Sequence, residues 1–301
     1  MSSIICGSIA FDTIMNFEGR FGEQIMADQL HILNVSFLLP TLRRDFGGCA
    51  GNIAYGLKLL GGTPLPMATV GVDGNDYLAR LSGLGISTEF VRMVDGAYTA
   101  QAMIMTDKDN NQITGFHPGA MEQAHTLKIA ARDDIQIGIV APDGFDAMVQ
   151  HAQQFKDAAI PFIFDPGQQL PRFDGAQLKQ FIEMATWVAV NDYEGKMLCE
   201  RTGWSFEEIS RRVRGLVVTL GSQGSEVWED GIKVHVPVVE AAQVVDPTGC
   251  GDSFRAALLY GLEKGWPLAR CAALGSHLGA LKIAQRGPQN YQLSKEVQGL
   301  L

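Results

Sequence analysis

A glycine-rich turn leads directly into an acidic residue in the segment V-V-D-P-T-G-C-G-D-S-F, residues 244–254. Apolar residues recur at helical spacing from Phe254 onward, so we predict a helix that begins at this turn. The N–H groups of Gly249, Cys250 and Gly251 would then form an anion cradle at a helix N-terminus. Asp252 falls in the first helical turn, where the helix dipole favours its ionised form.

An anion cradle beside a carboxylate suits phosphoryl transfer. Because the transition state of that reaction is loose, the hydroxyl needs little deprotonation before it attacks. A weak base such as Asp252 is therefore sufficient to accept the hydroxyl proton. The short pattern G-C-G-D is also compatible with an ordinary glycine turn in which Asp252 only caps the helix. The residue types of this turn alone leave both interpretations open.

The composition excludes several classes of partner. The 301 residues include 24 lysines and arginines against 33 aspartates and glutamates, a formal charge of −9. An acidic chain without a basic stretch is not expected to bind nucleic acid or a membrane surface. Five cysteines without a C-x-x-C spacing, and a start without a basic or long apolar region, lead us to expect a cytoplasmic protein with reduced thiols.

Short apolar runs alternate with helical patterns along the chain, which predicts an α/β fold in a single domain over residues 1–301. Its centre would be a mostly parallel sheet flanked by helices. The predicted strands are residues 4–9, 66–70, 135–140, 161–164, 187–190 and 216–220. The predicted helices are residues 50–60, 76–84, 145–158, 192–201, 206–213, 251–264 and 268–285.

Two segments interrupt this alternation. Residues 12–45 are too polar and irregular for a simple connection, and residues 98–116 have the pattern of a β-hairpin. Both follow early strands, so we expect a discontinuous lid formed by residues 13–45 and 96–117. The alternative is a pair of surface loops without a role.

Polar and glycine residues follow the predicted strands, where ligands bind in an open parallel sheet. One such strand end proves nothing, because helix caps favour the same residue types. Several together indicate a functional edge. These strand ends are residues 7–8, 71–73, 165–169, 191–194 and 219–221.

The segment D-P-T-G-C-G-D resembles the signature D-T-x-G-A-G-D of the ribokinase-like sugar and nucleoside kinases, the PfkB family. Residues 46–52, F-G-G-C-A-G-N, resemble the family's Gly-Gly pair at a helix start. Asn191 and Glu194 fit its N-x-x-E element, and residues 219–224 resemble its nucleotide-binding loop. The four elements occur in family order and spacing, so the resemblance implies a ribokinase-like fold with a small β-sheet lid. Several stretches are most similar to bacterial adenosine kinases, namely residues 7–12, 21–24, 116–121, 165–170 and 252–255.

The resemblance also implies roles for individual residues. Asp252 would be the catalytic base toward a 5′-hydroxyl, and the N–H groups of Gly249, Cys250 and Gly251 would stabilise the transferred phosphoryl group. Asp12 would accept bonds from the 2′- and 3′-hydroxyls of a ribose. The remaining substrate-binding residues implied by the resemblance are Ser8, Ser36, Gly47, Gly48, Asn52, Phe116, Gln168 and Gln169.

For the phosphate donor, the resemblance implies ATP with Mg²⁺. Glu194 would order Mg²⁺ through water, although it is also compatible with a solvated helix face. K⁺ would be held by carbonyl groups around Asp246 and Thr248. The residues implied to contact ATP are Asn191, Thr219, Gly221, Ser222, Gly224 and His277, of which His277 is equally compatible with a surface position.

Two arginines lie close in sequence to these motifs. Arg172 and Arg255 each either clamp the γ-phosphate or pair with a nearby carboxylate at the surface. In the lid, Ala102 stands where adenosine-specific family members have a second aromatic residue that stacks on the base.

The leading interpretation is an ATP-dependent kinase of a purine nucleoside that converts adenosine to AMP in purine salvage. Because Ala102 removes a stacking partner, a broader nucleoside or sugar kinase is the alternative. A non-catalytic nucleoside-binding regulatory protein is a third interpretation, but it would have no need of Asp252 behind an intact cradle. We expect a homodimer, because the exposed edge of the lid sheet requires a cover.

Overall fold

The computed structural model describes residues 2–25, 34–109, 111–129 and 131–301. Within these residues the chain alternates between strands and helices. The strands are β1 (Ser2–Cys6), β2 (Ala10–Asn16), β3 (Thr41–Gly47), β4 (Pro64–Val70), β5 (Val91–Met93), β6 (Ala100–Thr106), β7 (Gln112–His117), β8 (Ile135–Val140), β9 (Phe162–Phe164), β10 (Trp187–Asn191), β11 (Gly215–Thr219), β12 (Ser225–Glu229) and β13 (Ile232–Val236). The α-helices are α1 (Phe21–Gln24), α2 (Cys49–Leu59), α3 (Asn75–Gly83), α4 (Phe145–Asp157), α5 (Gly175–Met184), α6 (Asp192–Thr202), α7 (Phe206–Ser210), α8 (Cys250–Glu263), α9 (Leu268–Ile283) and α10 (Lys295–Gln298). Short 3₁₀ helices span Gly119–Thr126, Gly167–Arg172 and Gly221–Gln223.

The larger sheet has the strand order β13-β12-β11-β10-β9-β8-β1-β4-β5. Its strands pair in parallel except at the β11–β12–β13 edge, where the chain forms antiparallel hairpins. One apolar core joins the sheet to α2, α8 and α9, and a second joins its other face to α4, α5 and α6. This is the ribokinase-like arrangement that the motifs predict. No α-helix in the described part of the chain is long and apolar enough to cross a membrane.

A separate four-stranded sheet has the order β3-β2-β6-β7. Asp12 of β2 lies opposite Ala102 of β6, and Ala102 lies opposite Phe116 of β7. Because opposed residues on neighbouring strands point to the same side of a sheet, these three side chains share one face. Part of the predicted lid, residues 26–33, lies outside the described residues.

The N-terminal segment differs from the sequence-based prediction. A single strand over residues 4–9 was expected, but the chain bends at Gly7 and Ser8 between β1 and β2, which belong to different sheets. The polar stretch 12–45 contains β2 and β3 rather than irregular structure alone. Strand β3, T-L-R-R-D-F-G, was not predicted because it is an edge strand whose residues are mostly exposed or half-buried. Its sequence is therefore polar and lacks the apolar run that marks a buried strand.

Candidate active site

A cavity of about 600 Å³ lies between the small sheet and the carboxyl ends of the large-sheet strands. Nine of the predicted site residues line it: Ser8, Asp12, Gly48, Asn52, Phe116, Gln168, Gln169, Gly249 and Asp252. Ala102 and Arg172 also line it. The motifs that are far apart in sequence therefore meet around one space, as the prediction of a functional edge requires.

Asp252 lies in the first turn of α8, and one of its oxygens, Oδ2, accepts a hydrogen bond from Nδ2 of Asn52 at 2.8 Å. Burial raises the pKa of Asp252 to about 6, with the Asp165 carboxylate adding to the rise and Asn52 and Arg255 opposing it. Asn52 was predicted to contact the sugar. It does line the cavity, but its amide also fixes the carboxylate of Asp252.

The amide of Asn52 is itself held by residues that the sequence did not single out. Nε2 of Gln289 donates to Oδ1 of Asn52 at 3.0 Å and lies 2.7 Å from the hydroxyl of Tyr77. Tyr77 in turn donates to the carbonyl oxygen of Gly47 at 2.6 Å. This buried chain of hydrogen bonds connects Asp252 with the Gly47–Gly48 turn. Because a buried polar network of this kind is rigid, it fixes the position of the carboxylate.

The turn before α8 has the geometry of an anion cradle, with one exception. Gly249 is the N-cap residue in a left-handed conformation at φ 81°, and a Cβ there would meet the Cβ of Pro288 at 2.6 Å. Among the described residues, the N–H groups of Gly249 and Gly251 donate to no backbone oxygen outside the helix. The N–H of Cys250, however, donates to the carbonyl of Pro247 at 3.1 Å. In this conformation the N–H groups of Gly249 and Gly251 are therefore the donors of the turn without such a partner, and the role of all three N–H groups toward a phosphate stays a prediction.

Asp12 lies beside the Gly47–Gly48 turn. A Cβ at Gly47 would come within 2.4 Å of Oδ2 of Asp12, so only glycine allows the carboxylate this position. Burial raises the pKa of Asp12 to about 6, the carboxylates of Asp45 and Asp246 add to the rise, and Arg43 opposes it. The ionised form accepts hydrogen bonds from two hydroxyls, which suits a vicinal diol.

The row Asp12–Ala102–Phe116 spans three neighbouring strands of the small sheet. Two strand spacings separate its ends, which is about 10 Å. Ile104 and Thr114 lie opposite each other one pleat further along and also line the cavity. The wall is thus acidic at one end and apolar at the other, where Phe116 is 52% exposed toward the open space. A ligand with a diol and a flat apolar ring fits this division.

The raised pKa values of Asp12 and Asp252 lead to an expected pH profile. The roles predicted for Asp12, to accept hydroxyl bonds, and for Asp252, to accept a proton, require both carboxyls to be ionised, and both become protonated as the pH falls below about 6. We expect log(kcat/KM) to be flat near neutral pH and to fall below pH 6 with a slope approaching 2. Stopped assays across a constant-ionic-strength buffer series measure this, and a flat profile down to pH 5 would contradict it.

None of the six predicted nucleotide-binding residues lines this cavity, and all except His277 lie at the ends of β10 and β11 or in the turn after β11, along the same sheet edge. Asn191 at the end of β10 pairs with Thr219 at the end of β11, so their side chains are adjacent. Gly221 and Gly224 adopt positive φ angles of 58° and 85° around Ser222, and a Cβ at Gly224 would overlap the carbonyl oxygen of Val236. These N–H-rich turns follow the strand end as expected for a phosphate-binding loop.

Glu194 has a structural role that the sequence did not show. Its Oε2 accepts a hydrogen bond from the N–H of Asn191 at 2.8 Å, and Oδ1 of Asn191 accepts one from the N–H of Glu194 at 2.8 Å, which forms a capping box at the start of α6. Oε1 of Glu194 accepts no hydrogen bond from the described residues. One carboxylate oxygen therefore remains for water or a cation.

Further predicted residues do not line the cavity. Ser36 is exposed in residues 34–40, which have no regular secondary structure, and Gly47 adjoins the Asp12 carboxylate without lining the cavity itself. His277 lies half-buried on α9, where its Nδ1 is 4.0 Å from Oε1 of Glu296. The thiol of Cys250 also points away, toward the carbonyl of Gly279 at 3.9 Å, and burial raises its pKa to about 11.

The two arginines have different environments. Arg255 is buried rather than at the surface, and its Nε and Nη2 bind the two oxygens of Asp165 at 3.1 and 3.2 Å. Arg172 is exposed at the cavity wall, and its one side-chain hydrogen bond to the described residues is to Oε1 of Gln169, at 3.3 Å. The guanidinium of Arg172 is therefore accessible to a phosphate in the cavity, whereas that of Arg255 is buried in an ion pair with the Asp165 carboxylate.

Comparison with known proteins decides which family this arrangement represents. Residues 23–295 match the pfkB family carbohydrate kinase domain. The chain belongs to the PfkB family of carbohydrate kinases. Its catalysed reaction is phosphoryl transfer to an alcohol, in agreement with the cradle and the carboxylate of Asp252.

Solved structures of this family superpose closely on the chain. A nucleoside kinase from Burkholderia thailandensis in complex with inosine is 54% identical and has a TM-score of 0.88, covering 98% of this chain and 94% of that chain. The same enzyme in complex with ADP and inosine has a TM-score of 0.86. The nucleoside kinase from Methanocaldococcus jannaschii is 31% identical over 292 residues, which is 96% of this chain and 93% of that protein, and its structure has a TM-score of 0.90.

Proposed function

We propose that this PfkB kinase transfers the γ-phosphoryl group of ATP to the 5′-hydroxyl of a purine nucleoside. The observation that carries the proposal is the row Asp12–Ala102–Phe116 in the same cavity as Asp252. A nucleoside occupies the whole row, with its diol on Asp12 and its base against Phe116, whereas a free sugar leaves the apolar end empty. The Burkholderia relative crystallised with inosine supports a nucleoside acceptor.

The residues of the same wall also indicate which bases the nucleoside can carry. Adenosine, converted to AMP in purine salvage, was the leading interpretation of the sequence. The small side chain of Ala102 leaves the base without a second aromatic partner, and Gln168 and Gln169 line the cavity with amides that bond equally to amino and carbonyl groups. These features favour acceptance of both adenosine and inosine, which is the broader of the two nucleoside alternatives.

The catalytic steps follow from the positions of the side chains. Asp252 accepts the proton of the 5′-hydroxyl as the oxygen attacks the γ-phosphorus, and the bond from the γ-phosphorus to the bridging oxygen breaks to release ADP. The N–H groups of Gly249 and Gly251 stabilise the negative charge on the transferred group. Asn191, Thr219 and the loop around Ser222 hold the nucleotide.

Mg²⁺ fits the donors of this site. Oε1 of Glu194 is directed to neither the capping box nor another described residue, and Mg²⁺ binds commonly through water to one or two carboxylates beside phosphate oxygens. When bound, Mg²⁺ neutralises charge on the β- and γ-phosphates. Glu194 would hold it through water, and Arg172 would approach the γ-phosphate from the cavity side.

Phe116 provides the expected test of base recognition. Replacing Phe116 by Ala removes an aromatic face worth on the order of 1 kcal/mol, so we expect the nucleoside KM to rise about fivefold with little change in kcat. Phe116→Tyr, which keeps the ring, serves as the matched control and should retain the wild-type KM. Steady-state kinetics with inosine measure both, and an unchanged KM in Phe116→Ala would show that the base does not contact this wall.

The small sheet is proposed to act as the lid and as the contact between two copies of the chain. Its face opposite the cavity carries an apolar row of four opposed residues, one from each strand. Leu42 and Ile113 at the two ends of this row are 66% and 37% exposed. An apolar sheet face of this kind requires a cover in solution. The row consists of Leu42, Met15, Met105 and Ile113.

We expect a homodimer in sedimentation velocity at micromolar concentration. Ile113→Glu places a charge on the apolar face and should shift the protein to the monomer. Gln112→Glu adds the same charge to the neighbouring residue, whose side chain points to the other face of β7, and should leave the dimer intact. A wild-type monomer, or equal effects of the two substitutions, would contradict this interface.

A substrate panel tests the proposed function. We expect kcat/KM for adenosine and inosine to exceed the values for ribose and fructose by at least about a hundredfold, because only nucleosides contact both ends of the wall. Guanosine extends the panel to a base with a further amino group. A free sugar whose kcat/KM exceeds that of every nucleoside would overturn the proposal in favour of a sugar kinase.

We also propose a cytoplasmic location. It is supported by the free state of five cysteines, namely Cys6, Cys49, Cys199, Cys250 and Cys271.

A further inference from the structure

A lysine lies fully buried behind the turn that carries the catalytic carboxylate. Lys282, in the last turn of α9, is 0% exposed. Its Nζ donates to the carbonyl oxygen of Asp246 at 2.6 Å and to that of Gln285 at 3.1 Å. Burial of an ammonium group is costly unless hydrogen bonds and opposite charges compensate it, so these contacts are integral to the fold.

Of the two carbonyls that Lys282 contacts, that of Asp246 belongs to the segment leading into the cradle before α8, and that of Gln285 follows the end of α9. Asp246 begins the segment that leads to Gly249, and its carboxylate accepts the N–H of Thr248 and of Gly287, each at 2.9 Å. The N–H groups of residues 245 and 246 donate to the carbonyl of Ile283. The ammonium group thus lies where the end of α9 and the start of the cradle meet, and it joins the two.

The resemblance to ribokinase-like kinases implied K⁺ at the carbonyls around Asp246 and Thr248. The residues present do not fit that ion, because the Asp246 carbonyl already accepts the Lys282 ammonium at 2.6 Å. A second cation on the same carbonyl would lie close to the ammonium group and be repelled by its positive charge. The guanidinium of Arg43, whose Nη2 is 3.7 Å from Oδ2 of Asp246, adds further positive charge.

We propose that the ammonium group of Lys282 replaces a monovalent metal ion as a built-in cation that holds the Asp246–Gly249 turn, and that the kinase activity is independent of K⁺. Lys282 is a positioning residue, since it contacts the turn and not the reacting atoms. Burial lowers the pKa of Lys282 and the charge of Arg43 acts in the same direction, whereas the facing carboxylates of Asp246 and Asp45 oppose this lowering and favour the ammonium form. The inference depends on the proposed function only for the choice of acceptor in the assay.

The cation dependence of the wild-type protein is the first test. Turnover of inosine is measured with K⁺, Na⁺ or tetramethylammonium as the only monovalent cation, each at about 100 mM, together with the melting temperature under the same conditions. We expect the three kcat values to agree within about twofold and the melting temperatures to coincide, because no site for a free ion stabilises the native state. A tenfold activation or a specific stabilisation by K⁺ would overturn the proposal.

The substitution Lys282→Met is the second test, since it keeps an unbranched apolar side chain one atom shorter than lysine and removes the ammonium group. We expect kcat to fall at least about tenfold while the dissociation constant for inosine changes less than threefold, because the nucleoside contacts lie on the small sheet. Lys156→Met, at the exposed end of α4, is the matched control and should behave as the wild type. Wild-type kcat in Lys282→Met would refute the positioning role.

Two features of the design keep the outcomes separate. If Lys282→Met does not fold, the wild-type cation series still decides the proposal. If no nucleoside is a substrate, the proposed function fails, whereas the effect of K⁺ on the wild-type melting temperature continues to report on Lys282 alone.

Discussion

Replacing Asp252 by Asn is expected to reduce kcat by about 10³ and to leave nucleoside binding intact. The carboxamide keeps the size of the side chain and its place beside Asn52, but it does not accept the proton of the 5′-hydroxyl. Because nucleoside affinity resides in Asp12 and the wall of the small sheet, the dissociation constant should change less than threefold. Rapid-quench measurement of the chemical step, with isothermal titration of inosine, separates the two quantities.

The same substitution should not destabilise the protein. The pKa of Asp252 is raised to about 6 in the folded state, so the folded protein binds this proton more tightly than the unfolded chain and loses stability as the pH rises from about 4 to about 6. A neutral amide avoids that loss, and we expect Asp252→Asn to melt at the wild-type temperature or above it at neutral pH. A lower melting temperature with weakened inosine binding would assign the lost turnover to misfolding and contradict a role as base.

Replacing Asp12 by Asn is expected to reduce kcat/KM for nucleosides by about a hundredfold. Hydrogen bonds to a charged acceptor contribute about 1.5–3 kcal/mol each, and the amide oxygen replaces only part of what the carboxylate provides to two hydroxyls. The loss in kcat/KM should occur only for substrates that carry the 2′- and 3′-hydroxyls. We therefore expect the wild type and Asp12→Asn to differ less than threefold on 2′,3′-dideoxyinosine, which keeps the 5′-hydroxyl and the base.

The comparison of inosine with its dideoxy analogue forms a cycle that isolates the contact. A loss of similar size on both compounds would mean that Asp12 acts through the shape of the site. Ser8→Ala offers a matched control at the same cavity wall, because its hydroxyl accepts the N–H of Cys49 at 3.1 Å and so has a structural partner. We expect it to affect inosine and the analogue equally.

Much of this site could be predicted from local sequence patterns, because its chemistry resides in turns at strand ends. The G-C-G-D turn, the Gly47–Gly48 pair and the strand ends at Asn191 and Thr219 each have a short motif of their own. Parallel strands bring their carboxyl ends to one edge, so the motifs were expected to be close together. The alternation of strands and helices and the hairpin over β6 and β7 follow from apolar periodicity, whereas the ribokinase-like fold was implied by the resemblance of the four motifs.

The residues that the sequence did not reveal act through long-range contacts. Gln289 holds Asn52 across 237 positions of the chain, and no spacing rule indicates such a pair. Lys282 does carry a signal, since it continues the buried stripe of Leu274 and Leu278 on α9, where a lysine is unexpected. The hydrogen bond from the N–H of Cys250 to Pro247 could not be predicted, because it depends on the exact course of the preceding turn.

Identification of the phosphorylated atom tests the central claim most directly. The wild-type protein is incubated with ATP, Mg²⁺ and inosine or adenosine, and the product is examined by proton-coupled ³¹P NMR. Transfer to the 5′-oxygen gives a monophosphate whose signal is split into a triplet by the two 5′ protons, with one ADP formed for each nucleoside consumed, and this is the expected result. A doublet from a secondary hydroxyl, or ATP consumption that is equal with and without nucleoside, would contradict it.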